Sequence, residues 1–564
     1  MSRPRQPRTV YLAATLLALA VVGSIAGLAW DLSAVATFDD VARSWRRFAE
    51  FLAAFGAPDV SGEAVRDAFA MMLDTLAVAL LGVGLGMVLA YPLAIGACHA
   101  VVLGEHPHRP LPRALRRLLL ESCRLLLDVL RGVPDFAWAL LLANFCGIGT
   151  PTGVFAIAIS VAGILGKVLS EQWDNQEGAR YAFLQSTGAT PLQTFLFGIQ
   201  PLSARAMLSF VLMRTECAIR NASVIGVIAG GGLGSGLWDA FKDSRYDFVV
   251  TLLLAMLVLT AGADLTANFL RYQLRVDPNH PRHSRQAGVA GSTSRRTLGL
   301  AATAAALTWS LLRLWPAFVN LTDELARIES DFAWGYVRRL LVSPDPAAVP
   351  VAIQEAFVPL AVALLTTLGA TLFAGVLAYP ASVSFQLEAN RFTGEHPSRT
   401  RRTLRWVGVV SVRLFGLVCR AVPEVAWVLI LGAFFRQGLL AGVLAVTVHS
   451  TGVLLRVFAE TLDNVPHRRL EQIAGACRPQ IFLYGALPSA WPDWKTYAFF
   501  QFEVNMRRGI VLGMVGAGGL GEAFDGNLKF GRIERACTFL WAMVLLTVLV
   551  DRLSRWLQLR RNRC

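Results

Sequence analysis

Apolar residues in this chain fall in long blocks separated by short stretches rich in arginine. Blocks of the length a bilayer crossing needs, about 17–25 residues, lie near 10–30, 71–97, 133–150, 152–170, 203–229 and 247–265. They return near 297–318, 356–385, 422–437, 439–458, 490–516 and 534–552. This pattern predicts an all-α integral membrane protein with about twelve transmembrane helices. Several blocks reach full length only when flanking Trp, Tyr and small polar residues are counted. The first apolar run, Val10 to Trp30, follows a basic start from Met1 to Arg8. It exceeds a signal-peptide core of about 7–15 residues and reads as a retained first span.

Composition supports the bilayer as solvent. Of 564 residues, 55% are hydrophobic and 16% charged, with a mean hydropathy of +0.50; soluble domains carry closer to a quarter charged residues. The net charge of +14 does not point to nucleic acid, because the basic residues are dispersed between apolar blocks, as in positive cytoplasmic loops. Arg109, Arg113, Arg116 and Arg117 follow the second span, Arg271 to Arg296 separate the halves, Arg401, Arg402 and Arg405 follow the eighth span, and Arg560, Arg561 and Arg563 close the chain. Placing all of these inside puts both termini in the cytoplasm with an even number of crossings. The mixed-charge loop at 31–70 then lies outside. Eight scattered cysteines without a CxxC exclude a disulfide framework and a zinc cluster.

The chain repeats itself at a period of 287–289 residues. Arg131-Gly-Val-Pro-Asp-Phe-Ala-Trp138 returns as Arg420-Ala-Val-Pro-Glu-Val-Ala-Trp427, and Glu171, Asp174 and Asn175 return as Glu460, Asp463 and Asn464. Between 216–234 and 503–521, eight of nineteen positions are identical. The organisation expected is a first repeat over 1–270, a cytoplasmic linker over 271–298 rich in Gly, Ser, Pro and Arg, and a second repeat over 299–564. Six spans per half is an even number, so the repeats enter the membrane the same way round, with a pathway between them.

Three elements carry candidate chemistry. Before the fifth span of each half, Gly188-Ala189 precedes Pro201 by the same thirteen residues that separate Gly475-Ala476 from Pro488. The spacing suggests a short helix, a glycine break and a proline starting the next helix; the alternative is an ordinary loop. Glu216 and Arg220, like Glu503 and Arg507, stand four apart on one helix face. An ionisable residue inside a span costs on the order of 3 kcal/mol or more, so these are either intrahelical cement or pathway residues. Arg131 and Arg420 open motifs in which Pro134 and Pro423 start or kink a helix. Asp135, Trp138, Glu424 and Trp427 follow them. These guanidiniums suit an oxyanion, or else a lipid headgroup or a cap. The glycine runs Gly231-Gly232-Leu-Gly234 and Gly518-Gly519-Leu-Gly521 follow apolar spans with no βαβ unit around them, which excludes dinucleotide binding. They suit close packing or a mobile turn at the outer mouth. No GxxxxGK(S/T) occurs, so any nucleotide motor is another polypeptide.

In this order, Arg-x-Val-Pro-(Asp/Glu)-x-Ala-Trp, Gly-Ala…Pro, Glu-x-x-x-Arg and Gly-Gly-Leu-Gly resemble the phosphonate-import permease family, twice over, across roughly 65–270 and 355–557. The departures are Ala182 and Arg469 where the family's coupling loop has Glu, and Asn221 opposite Arg508. The resemblance implies a type I ABC importer permease fold in a bacterial inner membrane, with substrate delivered by a periplasmic binding protein. It also implies a homodimeric ATPase that itself holds ATP and Mg and docks at the loops of Gly188, Ala189 and Pro201 and of Gly475, Ala476 and Pro488, and no cofactor in this chain. Phosphonate, phosphite or phosphate is the substrate class implied. The competing readings are an ion-coupled secondary transporter with a duplicated six-helix unit, and a membrane enzyme built around His449 and Ser450.

Overall fold

A computed structural model describes residues 23–24, 38–104, 112–229, 231–274, 289–327, 330–387, 398–435, 438–465, 478–513 and 518–561. These residues form helices, turns and connections. The first repeat holds α1 (Phe38–Ala54), α2 (Gly62–Ala97), α3 (Arg113–Gly132), α4 (Asp135–Cys146), α5 (Thr150–Asp174), α6 (Gln200–Ala229), α7 (Gly232–Lys242) and α8 (Tyr246–Leu274). The second holds α9 (Val289–Arg327), α10 (Ser330–Val342), α11 (Phe357–Ala381), α12 (Arg399–Ala421), α13 (Glu424–Phe435), α14 (Leu439–Asp463), α15 (Leu487–Leu512), α16 (Leu520–Lys529) and α17 (Ile533–Arg561).

Six described helices are long and apolar enough to cross a membrane, or eight if two bent helix pairs each make one span. Twelve apolar blocks give fewer continuous crossings for identifiable reasons. The block at 133–150 is the short α4, set off from α3 by a break at Val133-Pro134. Its second-repeat counterpart bends by 91° between α12 and α13. Charges at Lys495, Glu503, Arg507 and Arg508 dilute α15. The run at 10–30 lies almost wholly outside the described residues.

The chain forms two compact units. One spans 57–336: α2 lies along α5, with α3, α6, α8 and α9 packed around them. The other joins residues up to 56 with 337–564: α11 lies against α14 and α15, α12 and α13 cover α14, and α1 packs on α13. Each unit therefore carries the leading helix of the opposite sequence repeat, α9 in one case and α1 in the other.

Within each unit, two polar clasps tie the span ends. Asp174, at the end of α5, accepts from the backbone N–H of His99 (2.8 Å) and Ala100 (3.3 Å), the Cys98 thiol (3.2 Å) and Arg124 Nη2 (2.9 Å). Asp463, at the end of α14, accepts from Ser382 Oγ (2.6 Å), the Ser384 N–H (3.1 Å) and Arg413 Nη2 (2.9 Å). The guanidiniums also donate to Ala97 O and Ala381 O, the last carbonyls of α2 and α11. One carboxylate and one arginine thus fasten three helix ends, as charge-assisted bonds do best. Burial, with the charge of Asp174, pushes the Cys98 thiol up to about 12. At the opposite span ends, Asp59 N–H donates to Asp247 O and Asp345 N–H to Glu534 O, while Thr251 and Thr538 hydroxyls donate back to Asp59 O and Asp345 O.

Close approach is decided by two glycines. A Cβ on Gly163 would meet Arg131 N at 2.6 Å, and one on Gly452 would meet Gly416 O at 2.6 Å and Arg420 N at 2.7 Å. The backbone at the end of α3 and of α12 therefore runs directly against the spanning helix beside it.

Gly163→Ala and Gly452→Ala are expected to cost about 1–3 kcal/mol each through overpacking. They should lower the thermal midpoint of the purified chain in nanodiscs, whereas Gly262→Ala, which meets nothing within 4 Å, should leave it unchanged. Asp463→Asn should lower the midpoint as well, because it removes the charge from three hydrogen bonds worth about 1.5–3 kcal/mol apiece when charged. Cys98 should stay unmodified by a maleimide at pH 8 until the chain is unfolded, since its thiol is buried and protonated there.

Candidate functional site

Each Arg-x-Val-Pro motif is a break in a helix at mid-depth. α5 runs from Thr150, beside the glycine turn at Gly231, to Asp174, beside the coupling loop. Ser160 and Gly163 lie ten and thirteen residues along it, roughly 15–20 Å from the Thr150 end at ~1.5 Å per residue. The break therefore sits far from both ends of the span. It is closed in the same way in both repeats. Pro134 precedes α4 as its N-cap, where a missing N–H costs nothing. Trp138 Nε1 donates to Leu130 O (3.3 Å) and Trp427 Nε1 to Cys419 O (3.1 Å), satisfying a carbonyl at the end of the preceding helix. The tryptophans are thus fasteners of the break.

The acid that opens the second half-helix is the centre of a polar cluster. Asp135 accepts from Ser160 Oγ and from Asn221 Nδ2 (2.6 Å), and Arg214 Nη2 lies 3.6 Å away. Glu424 takes Arg508 Nε at 3.2 Å, with His449 Nδ1 at 3.9 Å; His449 Nδ1 also lies 3.2 Å from Val422 O. A carboxylate in the first turn of a helix is favoured by the helix dipole, and a buried one needs this company. Beside the first cluster, Arg131 lies 3.7 Å from Asp128, which also pairs with Lys167. In the second repeat, Leu417 and Arg456 replace Asp128 and Lys167, and Arg456 turns to Glu460 instead.

Glu216 and Arg220 are buried and 3.7 Å apart on α6; Glu503 and Arg507 are half-buried at the same places on α15. His449 and Ser450 are fully buried. Ser450 donates to Asn505 (2.8 Å) and accepts from Gln501 (3.1 Å), and Asn505 donates to Thr367 (3.0 Å). That network packs the bundle, and the carboxylate near His449, Glu424, is paired with Arg508.

The glycine turns require their glycines: Gly231, Gly232, Gly518 and Gly519 all have positive φ, from 68° to 108°. Leu233 N–H donates to Thr75 Oγ1 (2.9 Å), and a Cβ on Gly234 would strike Ser223 O at 2.0 Å. In the second repeat a Cβ on Gly513 would meet Gly518 O at 2.4 Å and Gly521 Cα at 3.2 Å. The segment before α6, where spacing suggested a coupling loop, contains the short helix Ala182–Ser186 and a positive-φ break at Gly188. Pro201 and Pro488 stand second in α6 and α15, as the spacing suggests. Each lies just beyond a π-helical turn, Phe195–Ile199 and Phe482–Ala486, in a run that begins earlier. The missing proline N–H and the ring's clash with the preceding turn are accommodated by the wider π turn. Gly475 and Ala476 lie outside the described residues.

Sequence reading singled out the acids of the break but not the side chains that meet them. Ser160, Arg214 and His449 come from other helices. The signal was available only in the repeat register, where Arg214 stands opposite Gln501 as Asn221 stands opposite Arg508.

Comparison with known proteins agrees with this geometry. A family model for the binding-protein-dependent transport system inner membrane component matches twice, over residues 111–275 and 401–563. The phosphate-import permease protein PhnE of Mycolicibacterium smegmatis is 25% identical over 497 residues, covering 87% of this chain and 85% of that protein. The phosphite transport system permease protein PtxC of Stutzerimonas stutzeri is 33% identical over 34% of this chain and 67% of its own length. The putative cryptic phosphonate transport system permease protein PhnE2 of Escherichia coli is 32% identical over 21% of this chain and 97% of its own length. No solved structure matches. With the two matched segments covering more than half of the chain, each holding one helix break and one glycine turn, this protein belongs to the family of binding-protein-dependent transport system inner membrane components, as a multi-pass permease subunit of an ABC importer carrying the unit twice.

Proposed function

We propose that this permease carries phosphonate or a related phosphorus oxyanion inward, with repeats at 1–270 and 299–564 joined by the linker 271–298. The observation that carries the reading is cationic excess at the two breaks. Among the charged side chains described there, Arg131, Lys167, Arg214 and Arg220 face Asp128, Asp135 and Glu216 in one repeat. In the other, Arg420, Arg507 and Arg508 face Glu424 and Glu503. Arg214 Nε and Arg508 Nη1 are buried without a hydrogen-bond partner among the described residues, so donors remain for an anion in a medium that penalises idle ones. Relatives named for phosphate, phosphite and phosphonate transport support the same class.

In this reading, the broken helices present Asp135 and Glu424 at the pathway, with Arg131, Arg420, Pro134 and Pro423 shaping it. Trp138 and Trp427 hold the breaks. The ion pair of Glu216 with Arg220 lines it further out, as do Glu503 and Arg507 at the equivalent places of the other repeat. Gly231, Gly232, Gly234, Gly518, Gly519 and Gly521 form the outer gate, where a periplasmic binding protein delivers its load. A homodimeric ATPase, holding ATP and Mg, docks at Gly188, Ala189 and Pro201 and at Gly475, Ala476 and Pro488. Both termini are cytoplasmic, and lipids surround the spans.

Reconstitution of the full chain in proteoliposomes with its ATPase and binding protein tests this. ATP should drive uptake of radiolabelled phosphite, phosphate or methylphosphonate, and uptake should need the binding protein. Uptake that follows an imposed ion gradient with no ATPase bound would overturn the reading, and uptake of none of the three would overturn the substrate class.

A further inference from the structure

The two breaks use the same chemistry with the arginine in different places. In the repeat register, Asp135 corresponds to Glu424, Ser160 to His449, Arg214 to Gln501, and Asn221 to Arg508. Each fifth-span helix therefore supplies one arginine to the acid that opens the half-helix, and each has an amide side chain at the position its counterpart uses. The two positions are seven residues apart, two turns of helix, so they share a face within ~20° and differ in height by about 10 Å. Arg214 reaches Asp135 from the coupling-loop side with its terminal Nη2 at 3.6 Å. Arg508 meets Glu424 from the glycine-turn side through Nε at 3.2 Å. The vacated place is filled by a neutral donor: Asn221 still bonds Asp135 at 2.6 Å, and Gln501 donates to Ser450 at 3.1 Å.

From this exchange we infer that Arg214 and Arg508 are equivalent positioning residues, each holding the half-helix of its repeat in place through the opening acid, and that the duty can be carried from either height. The alternative, two unrelated ion pairs, does not account for an amide at both vacated positions or for one arginine per acid. A carboxylate at this depth without its cation would be costly, so loss of the arginine at one position is tolerated where the other supplies it. The inference rests on the transport reading above. It also assigns the repeats their difference: the first presents its cation nearer the coupling loop, the second nearer the glycine turn.

The test transplants one arrangement into the other repeat in the full chain with ATPase and binding protein. Arg214→Gln should reduce ATP-driven uptake of radiolabelled phosphite and stimulated ATPase turnover at least tenfold. The concentration of loaded binding protein giving half-maximal turnover should stay within twofold, because delivery precedes the break. Adding Asn221→Arg to make R214Q/N221R should return turnover to within about threefold of the parent, and R508N/Q501R should do the same for R508N. If R214Q removes the folded chain from the membrane, the same return is read on folded yield by size-exclusion chromatography. Failure of both double variants to recover, on whichever readout the single variants lose, overturns the inference. A parent chain that takes up no phosphorus oxyanion overturns the substrate reading instead, and recovery remains measurable on ATPase turnover.

Discussion

The structure depends on a helix that stops and restarts against the middle of the spanning helix beside it. A spanning helix satisfies its own backbone; a broken one leaves carbonyls at one end and N–H groups at the other, and hydrocarbon supplies no partners. Here Trp138 and Trp427 reach back to the last carbonyls, prolines remove a donor where none is needed, and Asp135 and Glu424 stand at the new N-terminus. Placing a carboxylate there is favourable for the helix and unfavourable for the bilayer. That conflict requires cations from α6 and α15, and the rest of the cluster follows from it.

The same economy governs the span ends. Asp174 and Asp463 each fasten three helices with one carboxylate and one arginine, although the residues donating to them differ, Cys98 and His99 in one repeat and Ser382 and Ser384 in the other. What is held constant is the charge pair and the backbone target. The side chains that merely offer a hydrogen bond are free to vary. The glycines obey a stricter rule, since Gly163 and Gly452 meet backbone, and backbone cannot move aside.

The clasp and the break share one long helix in each unit. α5 carries Ser160 and Gly163 at the break and Asp174 at the clasp; α14 carries His449, Gly452 and Asp463. A displacement at the clasp end would act on the break through a rigid element.

The sequence by itself determined the membrane class, the duplication, the order of motifs and the identity of the acids, because apolar block length, a fixed repeat period and proline or glycine spacing are local properties. It also marked Asn221 opposite Arg508 as a departure, without a reason for it. Three matters were left to the tertiary structure. One is that Pro201 and Pro488 each follow a π turn directly, which spacing does not encode. Another is that α1 and α9 pack in the unit of the opposite repeat, a matter of chain path. The third is that Arg214 and Arg508 answer to equivalent acids, Asp135 and Glu424, which is visible only when helices distant in sequence come within ion-pairing reach. An ion pair belongs to two helices at once, and neither helix's own sequence names its partner.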